Sequence, residues 1–271
     1  MRLHFITLSL VFVFGAGCAE TQKTDSLLDY TKSAKLMFEE AMEEFDDEDC
    51  IEAEEIFQDV RRQFPYSKYA PLSEVRLADC AFIQGKHAEA AVSYQHFLKA
   101  HPTHEEAHYA AYKKGMSYYE MIPSDWIITP PPHERDQSAT RDARAALSYF
   151  LKTYPSSEWT EKARETLQEI VDALVRHEMY VARFYLARDE RKAASVRLEG
   201  IWIHFPDSTL VPDAMFLQAE TFMKMGSDGE AKRVFGEIIE RYPEHNQAVR
   251  AKDYLEYLAG KAANESGDED G

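Results

Sequence analysis

Residues 63–70 read QFPYSKYA, and four later stretches share their form, a proline preceded by an aromatic residue or histidine at the end of an apolar run. The later stretches are AHPTHEEA at 100–107, TYPSSEWT at 153–160, HFPDSTLV at 204–211 and RYPEHNQA at 241–248. Proline has no backbone N–H and clashes with a continuing helix. The five stretches therefore predict five helix ends.

The spacing of the five prolines indicates a helical-hairpin repeat. They are 37, 53, 51 and 37 residues apart, close to the period of about 34 in tetratricopeptide repeats. The position twelve before each proline should be small, because two helices cross there. It holds Ala53, Ala90, Ala143, Ala194 and Ala231.

Three other positions of the repeat agree with this register. The position 24 before the proline is small in four repeats, and Gly115 takes that place in the third. Gly85 and Gly226 occupy the turn inside two hairpins, where a residue of positive φ ends a helix. The small residues are Ala41, Ala78, Ala182 and Ala219, and the bulky residues eight before the proline are Phe57, Tyr94, Leu147, Leu198 and Phe235.

The predicted fold is all-α, a right-handed superhelical solenoid of five tetratricopeptide-like helical hairpins plus a C-terminal capping helix. Pro123 and Pro130–Pro132 place an inserted loop at 121–139, and a long or doubled helix accounts for the extra residues before Pro206. The predicted boundaries are a signal peptide at 1–17, a linker at 18–30, a solenoid at 31–260 and a disordered acidic tail at 261–271. Within the solenoid, repeats lie near 31–67, 68–104, 105–157, 158–208 and 209–245, and the cap at 246–260.

Composition limits the classes of function. The chain has 271 residues, with 31 basic against 48 acidic side chains and a net charge of −17. A nucleic-acid partner is disfavoured, because phosphate binding requires a basic surface. Solubility is the simplest explanation of the acidity.

The amino terminus has the features of an export signal. Arg2 precedes an apolar run from Phe5 to Phe14, which is short for a membrane span. Cys18 follows Gly15, Ala16 and Gly17 and resembles the lipobox of bacterial lipoproteins, in which the cysteine carries the lipid. Gly15 stands where leucine is usual, so cleavage without lipidation is the alternative. We expect Cys18 to be lipidated, with the protein on the periplasmic face of the outer membrane.

Two further features have competing interpretations. Cys50 and Cys80 would either form a disulfide or pack as small buried residues, and the second interpretation is favoured. HEEAH at 104–108 matches the zinc peptidase motif H-E-x-x-H. The repeat register instead places His104 at a helix start, where the other repeats have Ser67, Ser157, Ser208 and His245. We therefore predict no enzyme, no metal and no cofactor other than the lipid.

Solenoids of this type bind partners on the face lined by the first helix of each hairpin. Such a groove would accept an extended segment with aromatic side chains. Packing in the core explains the same stripe of residues equally well, except that tyrosine hydroxyls favour a solvated edge. The groove candidates are Phe38, Met42, Phe45, Val75, Phe82, Tyr109, Tyr112, Met116 and Tyr119.

The chain resembles the BamD (YfiO) family of outer-membrane assembly lipoproteins from about Leu28 to Tyr257. The most specific segments are RDQ at Arg135–Gln137 with the helix that follows, and HE at 177–178 ahead of Tyr185. HPTHEEAHYAAYKKGMSYY at 101–119 and RKAASVRLEGIWIHFPDS at 191–208 also carry the resemblance.

The resemblance implies a non-enzymatic part of the β-barrel assembly machine. It implies that the amino-terminal repeats bind targeting segments of unfolded outer-membrane proteins, and that the carboxy-terminal repeats dock on the POTRA domains of the barrel subunit BamA. Other assembly-machine lipoproteins are further possible partners. Arg135, Asp136 and Arg197 are the docking candidates. The alternatives are another envelope repeat lipoprotein, serving pilus assembly or cell-wall synthesis, and a zinc peptidase.

Overall fold

The computed structural model describes the backbone of residues 21–124 and 130–267, and the side chains of 26–124 and 130–262. This part of the chain contains eleven α-helices and one short 3-10 helix, Pro132–Glu134, and no strand, which confirms the all-α prediction. The helices are α1 (Thr21–Asp46), α2 (Cys50–Gln63), α3 (Tyr69–Ile83), α4 (His87–Ala100), α5 (Ala107–Glu120), α6 (Ser138–Thr153), α7 (Thr160–Ala187), α8 (Arg191–His204), α9 (Val211–Lys224), α10 (Asp228–Arg241) and α11 (Asn246–Gly267).

The repeated prolines end the second helix of each hairpin. Helices α2, α4, α6, α8 and α10 all stop two residues before their proline. The intervening aromatic residue or histidine has φ between −126° and −133° and ψ between 50° and 59°, and donates its N–H to the carbonyl four residues back. Proline disfavours the α conformation in the residue before it, so each helix ends in the same way.

The small and bulky positions of the repeat form the buried layers between helices. The five alanines twelve before the proline and the five bulky residues eight before it are all 0 % exposed. Gly115 replaces alanine in the third hairpin because a Cβ there would overlap the side chain of Leu147. The register read from the sequence is therefore the packing register of the fold.

The turn inside four hairpins requires a positive φ. Gly85 and Gly226 have φ of +74°, as predicted. Counted back from the proline, Glu48 and Asp189 occupy the same position and have φ of 63° and 62°. The same left-handed turn is thus made twice by glycine and twice by an acidic residue.

The chain divides within α3, between Leu77 and Ala78, into two compact units. In the first unit, α1, α2 and the start of α3 pack around Ala34, Val60 and Tyr69. Helix α1 already begins at Thr21, so residues 21–30, which the sequence analysis assigned to a linker, are helical. Near the end of this segment, the ring of Tyr30 packs 5.1 Å from that of Phe64.

In the second unit, each helix from α4 to α11 packs on the next along the chain. One buried cluster lies among α5, α6 and α7, and a larger one lies among α7 to α11. Because the helices pack in chain order, the second unit is an array of antiparallel hairpins, in agreement with the repeat prediction.

Three boundaries refine the sequence prediction. The extra residues before Pro206 form part of the single 28-residue helix α7. Helix α6 starts at Ser138, so the inserted loop ends at 137. Helix α11 continues past 260 to Gly267, and Lys261 Nζ donates to Asp228 Oδ2 at 2.7 Å, so the predicted disorder from 261 is wrong as far as Gly267.

The signal peptide, Cys18 and residues 268–271 lie outside the described residues. None of the described helices is both long and apolar enough to cross a membrane.

Candidate binding surfaces

The two histidines of HEEAH do not share a helix face. His104 precedes α5, and its Nδ1 accepts the N–H of Glu106 at 3.1 Å. His108 lies on α5, with Nδ1 3.0 Å from Ser157 Oγ. Across the described ranges, no group of three or more His, Cys, Asp or Glu is placed to hold a metal ion.

The position of His104 is a helix-start position in other repeats too. Ser157, Ser208 and His245 also accept the N–H two residues ahead, at 3.4, 3.2 and 3.3 Å. Side chains that accept an N–H before the first turn of a helix satisfy groups that the helix itself leaves unpaired. His104 thus contributes to the start of a helix.

Cys50 and Cys80 are both buried as thiols, not joined in a disulfide. This agrees with the interpretation of the two cysteines as small core residues.

The predicted groove residues of the first unit have different environments. Phe38, Met42 and Phe45 are half-buried, and Phe38 packs 5.6 Å from the buried ring of Phe57. Val75 is 0 % exposed. The prediction that Val75 lines a binding surface is therefore wrong, because its side chain is part of the core.

In the second unit, Tyr112 is also a core residue. It is 3 % exposed and stacks on Trp159 at 5.0 Å with an interplanar angle of 11°. Burial raises the pKa of the Tyr112 hydroxyl. The expectation that the tyrosines mark a solvated edge therefore fails at Tyr112.

The remaining groove candidates of the second unit keep part of their surface exposed. Tyr119 donates to Glu169 Oε2 at 2.8 Å. This hydrogen bond, together with burial and the nearby negative charge, raises the pKa of Tyr119 to about 12, so the hydroxyl stays a donor at neutral pH. Met116 packs at the edge of the cluster among α5 to α7. Lys113 Nζ lies 3.5 Å from the centroid of the Phe82 ring.

A buried carboxylate that the sequence analysis missed connects α3, α4 and α5. Asp79 is 2 % exposed and accepts hydrogen bonds from Tyr94 at 2.5 Å and from Tyr109 at 2.8 Å. Buried carboxylates need such donors. An aspartate next to Ala78, a core position of the repeat, was the available signal.

The RDQ motif closes the inserted loop onto the start of α6. Gln137 is 4 % exposed, and its Nε2 donates to the carbonyls of Pro132 at 2.8 Å and of Arg135 at 2.9 Å. Arg135 Nε donates to the carbonyl of Pro130 at 2.6 Å. Hydrogen bonds from Ser138 lower the pKa of the exposed Asp136 carboxyl, which caps the helix. Arg135 and Asp136 therefore both have roles within the loop.

The same loop is attached to α7. His177 Nδ1 lies 2.7 Å from the carbonyl oxygen of His133, and the His133 ring packs 5.6 Å from that of Tyr180. The neighbouring Glu178 accepts from Arg197 at 3.3 Å. His177 of the HE pair thus fastens the loop to the long helix, whereas Glu178 connects that helix to α8.

Arg197 lies on an exposed part of α8. Its side chain is 49 % exposed and lines a cleft of about 850 Å³ together with Tyr185, Val196 and Met225. Val196 is 62 % exposed. A guanidinium beside exposed apolar side chains is a combination enriched in protein interfaces.

Comparison with known proteins gives a family match over most of the chain. The family model described as YfiO, outer membrane lipoprotein, matches residues 30–234. Relatives named outer membrane protein assembly factor BamD include that of Caulobacter vibrioides, 29% identical over 230 residues that cover 84% of this chain and 73% of the relative. The relative from Neisseria meningitidis serogroup B is 24% identical over 266 residues, 93% of this chain and 97% of the relative.

Solved structures with some similarity include the TPR2AB domain of yeast Sti1, with a TM-score of 0.45 and 13% identity over 86% of each chain. A tetratricopeptide repeat protein of Thermus thermophilus has a TM-score of 0.38 and 15% identity, covering 82% of this chain and 98% of its own. The family match spans well over half of the chain and includes the RDQ loop and the HE pair of α7. The chain belongs to the YfiO family of outer membrane lipoproteins.

Proposed function

We propose that this protein is a non-enzymatic lipoprotein component of the outer-membrane β-barrel assembly machine. The observation that carries the proposal is that two relatives named BamD align with 84% and 93% of this chain, while their own length is covered to 73% and 97%. A repeat fold offers a long side-chain surface, and such folds act chiefly by binding.

Unfolded outer-membrane proteins are the proposed clients of the amino-terminal hairpins. In the second unit, the surface consists of the part-exposed side chains of Phe82, Tyr109, Met116 and Tyr119. Aromatic and methionine side chains give large apolar contacts that adapt to different sequences. In the first unit, Phe38, Met42 and Phe45 are the corresponding candidates.

The cleft beside Arg197 is the proposed docking surface for the POTRA domains of the barrel subunit. Exposed Val196 and Met225 supply apolar contact, and Arg197 supplies a directional charge. A lipid on Cys18 would hold the protein at the membrane, where the barrel is inserted.

The test is a mild-detergent purification of the tagged, full-length protein from its own envelopes, with mass spectrometry of the co-purified proteins. We expect a large outer-membrane barrel carrying periplasmic POTRA repeats, and lipid-modified Cys18 as the mature amino terminus. Enrichment of pilus or cell-wall proteins without that barrel would refute the assembly function. The protein would then be an envelope scaffold of another kind.

A further inference from the structure

A cleft of about 470 Å³ lies on the second unit, and none of its lining residues belongs to the proposed client or docking surfaces. It is bordered by α4, α5 and α6, the second helices of two successive hairpins and the helix between them. Its volume falls in the range of sites that hold small ligands or a few residues of a peptide. The lining residues are Gln95, Leu98, Lys99, Lys114, Tyr118, Asp142, Ala145, Ala146 and Tyr149.

Two lysines without an ion pair in the described chain face this cleft. Lys114 is half-buried, and its Nζ donates to the neutral side chain of Gln95. Lys99 stands close enough that its charge, after burial, lowers the pKa of Lys114. The exposed Asp142 carboxylate acts in the opposite direction and raises the pKa of Lys114, but less strongly than burial and Lys99 lower it. A half-buried ammonium beside a like charge is destabilised, and a bound anion would relieve that cost.

The other lining groups indicate which anion fits. Tyr118 is half-buried and Tyr149 is 54 % exposed. Leu98, Ala145 and Ala146 add an apolar surface. Inorganic phosphate would use the lysines but none of the apolar surface. A peptide with a carboxylate and adjacent apolar or aromatic side chains would contact both the lysines and the apolar surface.

We propose that this cleft binds an acidic, partly apolar peptide segment of a protein partner, with a carboxylate placed between Lys99 and Lys114. The protein carries a net charge of −17, so its surface as a whole repels acidic segments. A local pair of lysines would therefore fix where such a segment binds and in which register.

The first experiment compares two probes on the purified full-length chain. They are the capped pentapeptides Ala-Leu-Glu-Phe-Ala and Ala-Leu-Gln-Phe-Ala, titrated at low ionic strength because salt screens exposed charges. We expect the glutamate peptide to bind about twofold to fivefold more tightly, the size of effect that one partly exposed ion pair supplies. Equal affinities would overturn the proposal.

Charge variants then locate the binding. Lys99→Gln and Lys114→Gln should each remove most of the difference between the two peptides. Lys152→Gln is the matched control, because Lys152 is an exposed lysine on α6 that does not line the cleft. An equal loss in Lys152→Gln would show attraction to the general surface and overturn the proposed site.

Two further measurements separate the remaining explanations. Ala145→Leu fills part of the cleft without changing its charge and should weaken the binding of the glutamate peptide. This variant tests the site even if Lys114→Gln folds poorly. Unchanged binding in Ala145→Leu contradicts the site. Inorganic phosphate should compete weakly. If phosphate binds as tightly as the glutamate peptide, the cleft is a general anion site and not a peptide site.

Discussion

At the scale of single residues, side-chain size at the helix crossings controls how closely the helices of this protein pack. The alanines of the repeat are fully buried, and at Gly115 the space for even one methyl group is missing. Interiors packed at this density respond to single methyl groups. Two substitutions of glycine test this.

Gly115→Ala should destabilise the protein by about 1–3 kcal/mol, because the new methyl group would overlap Leu147, which is itself buried and cannot move aside. Urea unfolding measures the change. Gly236→Ala in α10 is the control, since nothing lies within 4 Å of its added Cβ. This control should stabilise by about 0.5–1 kcal/mol through helix propensity. Equal effects of the two substitutions would contradict the packing argument.

Glu48→Gly should stabilise the protein by about 0.5–1 kcal/mol. A non-glycine residue in the left-handed region costs roughly 1–2 kcal/mol, and glycine removes that cost. Part of the gain is offset because glycine loses more conformational entropy on folding. Glu48 has φ of 63° and an exposed side chain. Thermal unfolding is the measurement. Gly85→Ala, at the same turn position in the next hairpin, should destabilise by a similar amount. Destabilisation by Glu48→Gly would show that the glutamate side chain matters there.

At the scale of helices, hydrogen bonds between polar side chains fix the relative positions of neighbouring helices more specifically than the apolar residues of the repeat do. Asp172 on α7 is a clear case. It accepts from Ser208 at 2.7 Å and from the hydroxyl of Thr209 at 2.6 Å. Burial acts to raise the pKa of Asp172, but these hydrogen bonds outweigh it and the pKa lies below its ordinary value.

Asp172→Asn should cost about 1 kcal/mol of stability near neutral pH, the size of a typical net hydrogen-bond contribution. Because the folded pKa is depressed, the carboxylate contributes above the unfolded pKa of about 3.9, and its contribution disappears as the pH falls through the folded pKa. Unfolding measured between neutral and acid pH should show the wild type and the variant converging below about pH 4. Asp207→Asn, at an exposed site in the same turn, keeps the hydrogen bonds of Asp172 and should leave the stability at neutral pH nearly unchanged. A gap between wild type and Asp172→Asn that stays constant with pH would refute the charge argument.

Tyr94→Phe should destabilise by about 1–3 kcal/mol, because it removes one donor from the buried Asp79 carboxylate. Chemical denaturation gives the value. Tyr242→Phe is the control, since the Tyr242 hydroxyl makes no hydrogen bond within the described chain, and it should be nearly neutral. A Tyr94→Phe variant as stable as the wild type would mean that Asp79 is satisfied by its other contacts.

At the scale of the whole molecule, function depends on which surfaces remain open once the helices have packed. Arg197 is half-exposed at a cleft with apolar side chains, and its ion pair with Glu178 lies at the surface. Exposed ion pairs contribute little to stability. A substitution there should therefore change binding more than folding.

Arg197→Glu should reduce co-purification of the POTRA-bearing barrel by about fivefold to tenfold, the loss expected from one interface charge, with the melting temperature nearly unchanged. Quantitative mass spectrometry of envelope purifications measures this. Arg233→Glu on α10 is the control, because it makes the same charge change at another half-exposed arginine. If both variants retain the barrel equally, Arg197 is not part of the docking surface.

Much of the fold followed from local sequence rules. Proline ends a helix, small residues mark helix crossings and glycine permits positive φ, so the helices, their register and the turns at Gly85 and Gly226 were predictable. The inserted loop was predictable from its prolines, and the long α7 from the extra residues between Pro155 and Pro206. The helical start of α1 and the extension of α11 were not predicted. Tyr30 in α1 packs on Phe64 and Lys261 in α11 donates to Asp228, and local sequence does not reveal such contacts between distant residues.

The site residues show the limit of such rules. A stripe of aromatic residues along a helix looks the same in sequence whether its members face solvent or a neighbouring helix. Only packing buries Val75 and Tyr112 and leaves Tyr119 at the edge. The donors around Asp79 also come from different helices, as do the two lysines of the cleft, Lys99 and Lys114. The sequence by itself determined the repeats and the family, because both are written in local spacing. The tertiary structure alone decided which side chains are open to a partner, because burial depends on contacts between residues distant in the chain.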